Sequence, residues 1–429
     1  MKSLQDITTR IGDGLHGTPK YDDSGDYYFI NGNNLSQDKI TLKKETRRVS
    51  KEEYLKYKKD LNDRTLLVSI NGTLGNFAFY NNEKVMLGKS ACYLNLIDDV
   101  DKEYIGYLLK NRHFQKYIDS NATGTTIKNV SLQTIRSYEF ELPPKKNQQD
   151  VSNFLSSLDQ KIKLNKKMNE NLEEIAKTLF KSWFIDFDPV RAKAEGKPSG
   201  LSKEISDLFP DSFEDSELGE IPRGWKIELF QDVVDEYVDN RGKTPPLVDI
   251  GIPLVEVKHM HDNSQFPDLN TDKYVSKDIF DSWFRKHVEK YDVLISTVGT
   301  IGLTTCVFNS NFAIAQNVLG LRFSTKSMSL YMFNLIKSNY FQHQMNSRLV
   351  ETVQKSIKRK DLNEIPTLVP SEKILIEFFN FASANLEKQF NNKLQNATLS
   401  NLRDMLLPKL ISGQLTIPEA DNIIKKESV

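Results

Sequence analysis

The chain has 429 residues, of which 58 are basic and 58 acidic, so its formal net charge is zero. This balance argues against a protein that coats nucleic acid by bulk charge, and the length predicts two or three domains. No apolar run approaches the roughly 18 residues that a membrane-spanning helix needs, and the N-terminus lacks a signal-peptide region. Two cysteines, Cys92 and Cys306, provide neither a disulfide framework nor a zinc spacing. We therefore expect a cytoplasmic protein with no metal, no cofactor and no membrane partner.

Each half of the chain begins with short β-like runs that glycine and asparagine separate. These runs lie at 27–30, 66–70, 76–80, 252–257, 293–297 and 319–323. A helical stretch follows near 102–120 and again near 329–348. Pro143 with Pro144 closes the first globular part, and Pro370 closes the second. The pattern predicts a mixed α/β (α+β) fold.

The halves are copies of each other. Residues 69–75 read S-I-N-G-T-L-G, and residues 296–302, which lie 227 positions later, read S-T-V-G-T-I-G. The same offset relates Tyr104, Lys110 and Gln115 to Tyr331, Lys337 and Gln342. The register slips only locally, around Ile127-Lys128 and Ile357-Lys358, where the second copy is a few residues longer. A repeat period of 227 residues indicates a duplicated domain, because the units of solenoid proteins span only roughly 20–50 residues.

A heptad pattern follows each closing proline and predicts a long helix. The first seam comprises Val151, Leu155, Leu158, Ile162, Asn165, Asn169, Leu172, Ala176, Leu179 and Trp183. The second, less regular seam comprises Phe378, Ala382, Leu386, Phe390, Leu394, Leu399, Leu402 and Leu406. A helix of this length with a narrow apolar stripe needs a partner helix, and the other copy is the obvious one.

Antiparallel packing of the helices about a pseudo-twofold axis would place their midpoints opposite each other. Asn165 and Asn169 would then face Asn396 and Asn392 in the polar gap of both seams. Buried asparagine pairs fix the register of helices, because any slip leaves amides unsatisfied. The alternative is that these positions face solvent.

The sequence therefore predicts six segments. They are a first domain at 1–145, a long helix at 146–185, a linker at 186–220, a second domain at 221–370, a second long helix at 371–415 and a tail at 416–429.

Several motifs resemble a known family. They are K-T-L-F-K-S-W-F at 177–184, the following D-F-D-P-V-R-A-K, G-E-I-P-R-G-W at 219–225 and L-L-P-K-L-I-S-G-Q-L at 406–415. In order and spacing, these motifs and the duplication resemble the specificity subunit of type I restriction–modification enzymes over nearly the whole chain. The resemblance implies two target recognition domains that read the two halves of a split DNA site. It also implies antiparallel helices that act as a spacer between the half-sites.

The resemblance further implies partners. These are double-stranded DNA, two methyltransferase subunits that dock on the helices, and restriction/translocase subunits that join through the complex. The chain would be a non-catalytic subunit, and it carries neither a G-x-x-x-x-G-K-[ST] loop nor an H-E-x-x-H motif. Two alternatives stay open. One is a metal-dependent nuclease that uses Asp249, Glu256 and Lys258, although V-E-V-K also fits an ordinary strand. The other is a coiled-coil scaffold without a DNA role.

Basic clusters are the candidates for DNA contact, since phosphate contacts require positive side chains. They are Lys43, Lys44, Arg47, Arg48 and Lys128 in the first half, and Arg241, Lys243, Lys258, His259, Arg285, Lys286, Lys355, Lys358, Arg359 and Lys360 in the second. The glycines of the repeated G-T-x-G motif favour tight turns with positive φ. Backbone approach to DNA phosphates is the other interpretation of this motif.

Overall fold

A computed structural model describes residues 1–36, 38–240, 242–262, 264–349 and 355–427. The chain divides into two compact units: unit 1 is Met1–Leu164 with Gln395–Val429, and unit 2 is Asn165–Leu394. Both boundaries fall inside long helices, so each unit holds one globular domain and about half of each helix. This division differs from the six predicted segments because side chains of the helices belong to the cores of the globular domains.

The long helices are Lys145–Phe184 and Glu372–Ile411, each of 40 residues. Their first residues are related by the same offset of 227 that relates the repeated motifs. Within unit 2 the helices run antiparallel, because Asn169 contacts Asn392 while Phe180, further along the first helix, packs on Phe378 with ring centroids 5.7 Å apart. In unit 2, therefore, the orientation is the one that the seams predict.

Unit 1 contains a four-stranded antiparallel sheet in the order Thr8–Asp13, Ala91–Leu96, Thr65–Ser69, Phe77–Phe79. In a three-stranded sheet, Tyr27–Ile30 pairs antiparallel with Arg48–Val49 and parallel with Val85–Leu87. Two short pairs are Lys2–Ser3 with Glu139–Phe140, and Leu35–Ser36 with Lys39–Ile40. The shorter helices are Lys51–Tyr57, Lys102–Lys110, Arg112–Ser120, Leu132–Arg136 and Ile417–Glu427.

The core of unit 1 combines the four-stranded sheet with both long helices. Leu66 and Leu94 come from the sheet, Leu155 from the first long helix and Leu406 from the second, and all four are fully buried. The predicted tail contains the helix Ile417–Glu427, which packs Ala420 into this core.

Unit 2 repeats the topology. Its four-stranded sheet has the order Val234–Val238, Val318–Phe323, Val293–Ser296, Thr304–Cys306. Ile252–Val255 pairs antiparallel with Tyr274–Val275 and parallel with Ala313–Ile314. The remaining strands are Phe213–Ser216 with Gly219–Pro222, and Lys226–Leu229 with Pro366–Val369. The shorter helices are Asp188–Ala194, Lys203–Ser206, Phe230–Val233, Lys277–Trp283, Lys326–Ile336, Asn339–Asn346 and Arg359–Asn363.

Each predicted helical stretch is broken once. In unit 1 the break falls at Asn111, which ends one helix and caps the next by accepting a hydrogen bond from the backbone N–H of His113 at 3.0 Å. In unit 2, Ser338 caps the second helix in the same way. Such caps stabilise a helix start by about 1 kcal/mol, and they compete locally with continuation of the preceding helix.

The prediction that the offset of 227 residues slips near Lys128 is wrong. The backbone N–H of Gly72 donates to the carbonyl of Lys128, and that of Gly299 donates to the carbonyl of Lys355, both at 3.0 Å. Lys128 therefore corresponds to Lys355, and the offset of 227 is unbroken here. The I-K pair at 357–358 matched 127–128 only in letters, because Ile357 is buried whereas Ile127 is exposed.

The family motifs around the linker lie in one aromatic core of unit 2. Phe187, with a positive φ of 56°, begins the helix Asp188–Ala194 and packs edge-on against Trp225 of G-E-I-P-R-G-W at 5.6 Å. Phe184 contacts both Tyr331 of the globular domain and Phe378 of the second long helix. These motifs thus join the long helices to the domain.

Candidate nucleic-acid interface

The G-T-x-G motif forms the same buttressed turn in both units. Gly72 and Gly75 have φ of 77° and 76°, and Gly299 and Gly302 both have 82°, so the prediction of positive φ is confirmed. The Gln115 side-chain amide donates to the carbonyls of Gly75 and Leu109 at 3.2 and 2.7 Å. The positive φ favours glycine at position 75, and a Cβ there would lie 2.5 Å from that amide oxygen, so a larger residue would have to displace the Gln115 side chain.

Unit 2 repeats this arrangement with Gln342. Its amide donates to the carbonyls of Gly302 and Ile336 at 3.1 and 2.9 Å. The glutamine was visible in the sequence as a recurring residue, but its role depends on a contact 40 positions away.

In unit 1 the turn adjoins three further segments. Thr73 Oγ1 donates to the carbonyl of Gly32 at 3.0 Å, and Gly72 bonds to Lys128 as described above. The Asn34 amide nitrogen, on the same turn as Gly32, donates to the carbonyl of Thr41 at 3.0 Å and to Thr46 Oγ1 at 3.1 Å. We define the unit 1 face as residues 31–34, 41–47, 71–75 and 123–129.

Four of the predicted basic residues lie on this face, and they differ in whether an acidic side chain already pairs with them. Lys43 and Lys44 are exposed and form no ion pair within the described part of the chain. Arg47 lies 3.5 Å from Asp23 and 5.3 Å from the ring centroid of Tyr21, and Lys128 pairs with Asp119. Exposed pairs of this kind contribute at most about 1 kcal/mol and exchange readily for phosphate.

Arg48 points elsewhere. It is half-buried, donates to the hydroxyl of Tyr28 at 2.5 Å and stacks on the same ring at 4.6 Å. Arg48 therefore holds the strand Tyr27–Ile30 in place, and it is a weaker candidate than its neighbours.

In unit 2 the matching face contains the turn 296–302 and the segment 355–358. Lys355 and Lys358 are exposed, as are Lys243 and Arg285 on other loops. None of these four has an ion-pair partner among residues that the structure describes. Three others are engaged: Lys286 with Glu236 at 2.6 Å, Lys360 with Glu364 at 4.0 Å, and Arg359 with Asp239 at 3.8 Å. Arg359 also lies 3.6 Å from the ring centroid of Tyr237. Arg241 lies outside the described residues.

His259 is a structural residue, which corrects its place among the surface candidates. Only 6% of it is exposed, and its Nδ1 accepts a hydrogen bond from the backbone N–H of Glu256 at 2.9 Å. Burial, together with the nearby charge of Lys258, lowers the pKa of His259 and keeps the acceptor nitrogen free of a proton. In unit 1 the side chain of Asn34 makes the same bond to the backbone N–H of Asn31.

The acidic–lysine pattern at 249–258 is not a strand with a metal site. The strand ends at Val255, and Val257–His259 is a 3₁₀ turn. The Glu256 carboxylate lies 2.7 Å from Lys273 Nζ and 3.2 Å from Lys258 Nζ, and Lys258 also pairs with Asp272 at 2.7 Å. Two ammonium groups on one carboxylate occupy the oxygens that a divalent cation needs.

The asparagines of the seam fall in both units. Asn392 Nδ2 donates to Asn169 Oδ1 at 2.7 Å, and Asn169 Nδ2 donates to the carbonyl of Gln389 at 3.1 Å. Asn165, which belongs to unit 2, is buried, and Asn396, which belongs to unit 1, is half-buried.

Comparison with known proteins agrees with this architecture. Residues 2–174 match the model of the type I restriction modification DNA specificity domain. The chain is 24% identical over 376 residues to the type I restriction enzyme HindI specificity subunit of Haemophilus influenzae, which covers 75% of this chain and 76% of that protein. It is 25% identical over 362 residues to the MjaIX specificity subunit of Methanocaldococcus jannaschii, which covers 83% and 78%.

Among solved structures, the crystal structure of a type I restriction–modification S subunit from M. genitalium aligns with a TM-score of 0.57 at 16% identity over 95% of both chains, and it has the same fold. The similarity therefore extends from the duplicated domains to the long helices. Over three quarters or more of its length, the chain is similar to the specificity subunits of type I restriction enzymes. The nuclease and scaffold alternatives find no support among these relatives. No helix among the described residues is long and apolar enough to cross a membrane.

Proposed function

We propose that this chain is the DNA-specificity subunit of a type I restriction–modification complex and that it binds a bipartite, asymmetric site. One observation carries the proposal. The two units share a topology and a glutamine-braced G-T-x-G turn, but the loops beside the turn differ between them. In unit 1 the neighbouring loop carries Lys43, Lys44 and Arg47. Its counterpart in unit 2, which follows His259 instead of Asn34, carries Asp262, Asp268 and Asp272. Two domains of the same topology that carry loops of different charge suit the recognition of two different DNA half-sites.

Phosphate contacts fall to the exposed lysines that form no ion pair with any residue that the structure describes. Lys43 and Lys44 serve unit 1, and Lys355 and Lys358 serve unit 2, each near its turn. These contacts fix the position of a domain on the duplex, whereas side chains of the loops read the base edges. With a net charge of zero, the isolated chain is expected to bind DNA weakly.

The long helices supply docking surfaces for two methyltransferase subunits. Both carry large apolar side chains that stay exposed: Leu164 and Ile175 on the first, and Ile376, Leu394 and Met405 on the second, at 42–56% exposure. Exposed apolar side chains on a long helix suit protein partners. The restriction/translocase subunits join through these methyltransferases, and the assembly works in the cytoplasm. This chain itself is non-catalytic.

The test is DNA binding with and without co-purified methyltransferase subunits. The proposal predicts weak, non-selective gel shifts for the chain alone and a selective shift for the complex. Two results would refute it: methylation or cleavage by the pure chain, or a complex that binds all sequences equally.

A further inference from the structure

A network of charges lies around Lys110 in unit 1. Its ammonium pairs with Asp38 and lies 3.6 Å from Asp159. Asp159 also accepts hydrogen bonds from the Tyr107 hydroxyl at 2.8 Å and from Arg403 at 2.6 Å. Each of these half-buried charges is thus matched by an opposite charge or by a strong donor.

Unit 2 has the same lysine without the acids. By the offset of 227, Lys110 corresponds to Lys337, and Asp159 corresponds to Leu386. The counterpart of Asp38 is Gln265, because Cys306 N–H donates to the carbonyl of Gln265 at 2.8 Å just as Phe79 N–H donates to that of Asp38 at 2.9 Å. Both carboxylates are therefore replaced by neutral side chains.

The two large donors are also replaced. Tyr107 corresponds to Asn334, and Arg403, on the second long helix, corresponds to Ala176 on the first. All five substituted or retained positions line one pocket of ≈ 380 Å³ within unit 2, and no described segment of that unit fills it. The pocket lies where the unit 1 network lies in its own unit, and Asn334 and Ala176 leave space because they are shorter than Tyr107 and Arg403.

Two polar side chains in this pocket, Lys337 and Gln265, lack strong partners among the residues that the structure describes. Lys337 Nζ lies 3.3 Å from Gln265 Oε1 and 5.0 Å from the ring centroid of Phe333, and it forms no ion pair within the described residues. Glu173 and Asp262 line the pocket and attract the ammonium, but burial dominates and lowers the pKa of Lys337. Gln265 is only 9% exposed, and its Nε2 has no hydrogen-bond partner among the described residues.

The wall also contains polar residues, among them Lys177 and Lys181, and apolar side chains that a ring can contact, among them Phe180 and Leu386. We propose that this pocket binds a small aromatic carboxylate, whose carboxylate pairs with Lys337 and accepts a hydrogen bond from Gln265 Nε2. The ring takes the space that Tyr107 fills in unit 1, and the carboxylate takes the role of Asp159. A charge-assisted pair in a partly dry pocket is stronger than one in open solvent.

The test uses the full chain with benzoate as the probe and benzamide as a neutral probe of the same shape. We expect saturable benzoate binding by calorimetry, with benzamide at least about tenfold weaker, because a charge-assisted bond is lost. Equal affinity for the two probes, or no saturable benzoate binding at millimolar concentration, would overturn the proposal.

Two variants locate the site. Leu386→Asp restores the acid that unit 1 has, so its own carboxylate should occupy Lys337 and abolish benzoate binding while thermal stability is kept or raised. Lys337→Met should also abolish binding, whereas the exposed Lys163→Met should leave it unchanged. Undiminished benzoate binding in Leu386→Asp with a native circular dichroism spectrum would place the ligand elsewhere and contradict the assignment.

Discussion

Asn392 donates a hydrogen bond of 2.7 Å to Asn169 across the two long helices of unit 2. Asn392 is only 3% exposed, and Asn169 Nδ2 donates to the carbonyl of Gln389. A pair of polar side chains in an apolar seam stabilises less than a pair of leucines would, but it selects one register, because every slip leaves an amide without a partner.

The first prediction concerns this pair. Asn169→Leu should lower the free energy of unfolding by about 1–3 kcal/mol, since it leaves the buried amide of Asn392 unpaired. The double change to Leu should cost less than the sum of the single changes, because the unpaired group is removed too. Urea denaturation measures both, with the exposed Asn391→Leu as control. Additive losses would show that the two asparagines do not act as a pair.

The second prediction separates two demands on the repeated turn. In Gly72→Ala the new methyl group has no neighbour within 4 Å, so only backbone strain at positive φ should lower the free energy of unfolding, by about 1–2 kcal/mol. Gly75→Ala adds a contact of 2.5 Å with Gln115, so it should destabilise unit 1 clearly more. Gln115→Ala in the Gly75→Ala background should recover part of the difference in thermal unfolding. If the two glycine variants were equally stable, the glutamine would not be a rigid buttress.

The third prediction concerns pH. Burial acts to raise the pKa of Asp159, but the hydrogen bond from Arg403 and the charge of Lys110 outweigh it and lower this pKa overall. A lowered folded-state pKa stabilises the fold above the unfolded value of about 3.9, and this stabilisation is lost as the pH falls through the folded-state pKa.

Asp159→Asn should therefore cost about 2 kcal/mol at neutral pH, and progressively less below about pH 4. Denaturation across this range measures the difference, and the exposed Asp99→Asn serves as control. A cost that stayed constant down to acid pH would mean that the charge of Asp159 does not matter.

The fourth prediction tests the unit 1 face. Lys43→Ala with Lys44→Ala should weaken DNA binding by the assembled complex for all sequences alike. It should also reduce the slope of log affinity against log salt by about 1–2, since about 0.9 is lost for each phosphate contact. The exposed Lys84→Ala on another turn should change neither. A change of sequence preference with an unaltered slope would instead indicate base contacts.

Sequence patterns predicted the features that are local or periodic. The heptad pattern predicted the long helices, and the glycines predicted the turns with positive φ. Both patterns depend only on residues a few positions apart. Burial of His259 was not predictable, since its neighbours Lys258 and His261 are exposed and only the fold encloses it. The pocket around Lys337 was equally hidden, because its wall joins residues from 173 to 389 that only the tertiary structure brings together.

The central claim is that each unit reads one half of a split site, and methylation mapping after a domain exchange tests it most directly. Residues 1–142 are replaced by the corresponding domain of a relative, and methylated adenines are mapped across the genome in cells that also carry the partner subunits. We expect the unaltered chain to give a bipartite, asymmetric motif and the exchange to change one half while the other stays the same, since each unit has its own core. A single uninterrupted motif, or a change in both halves at once, would contradict the account.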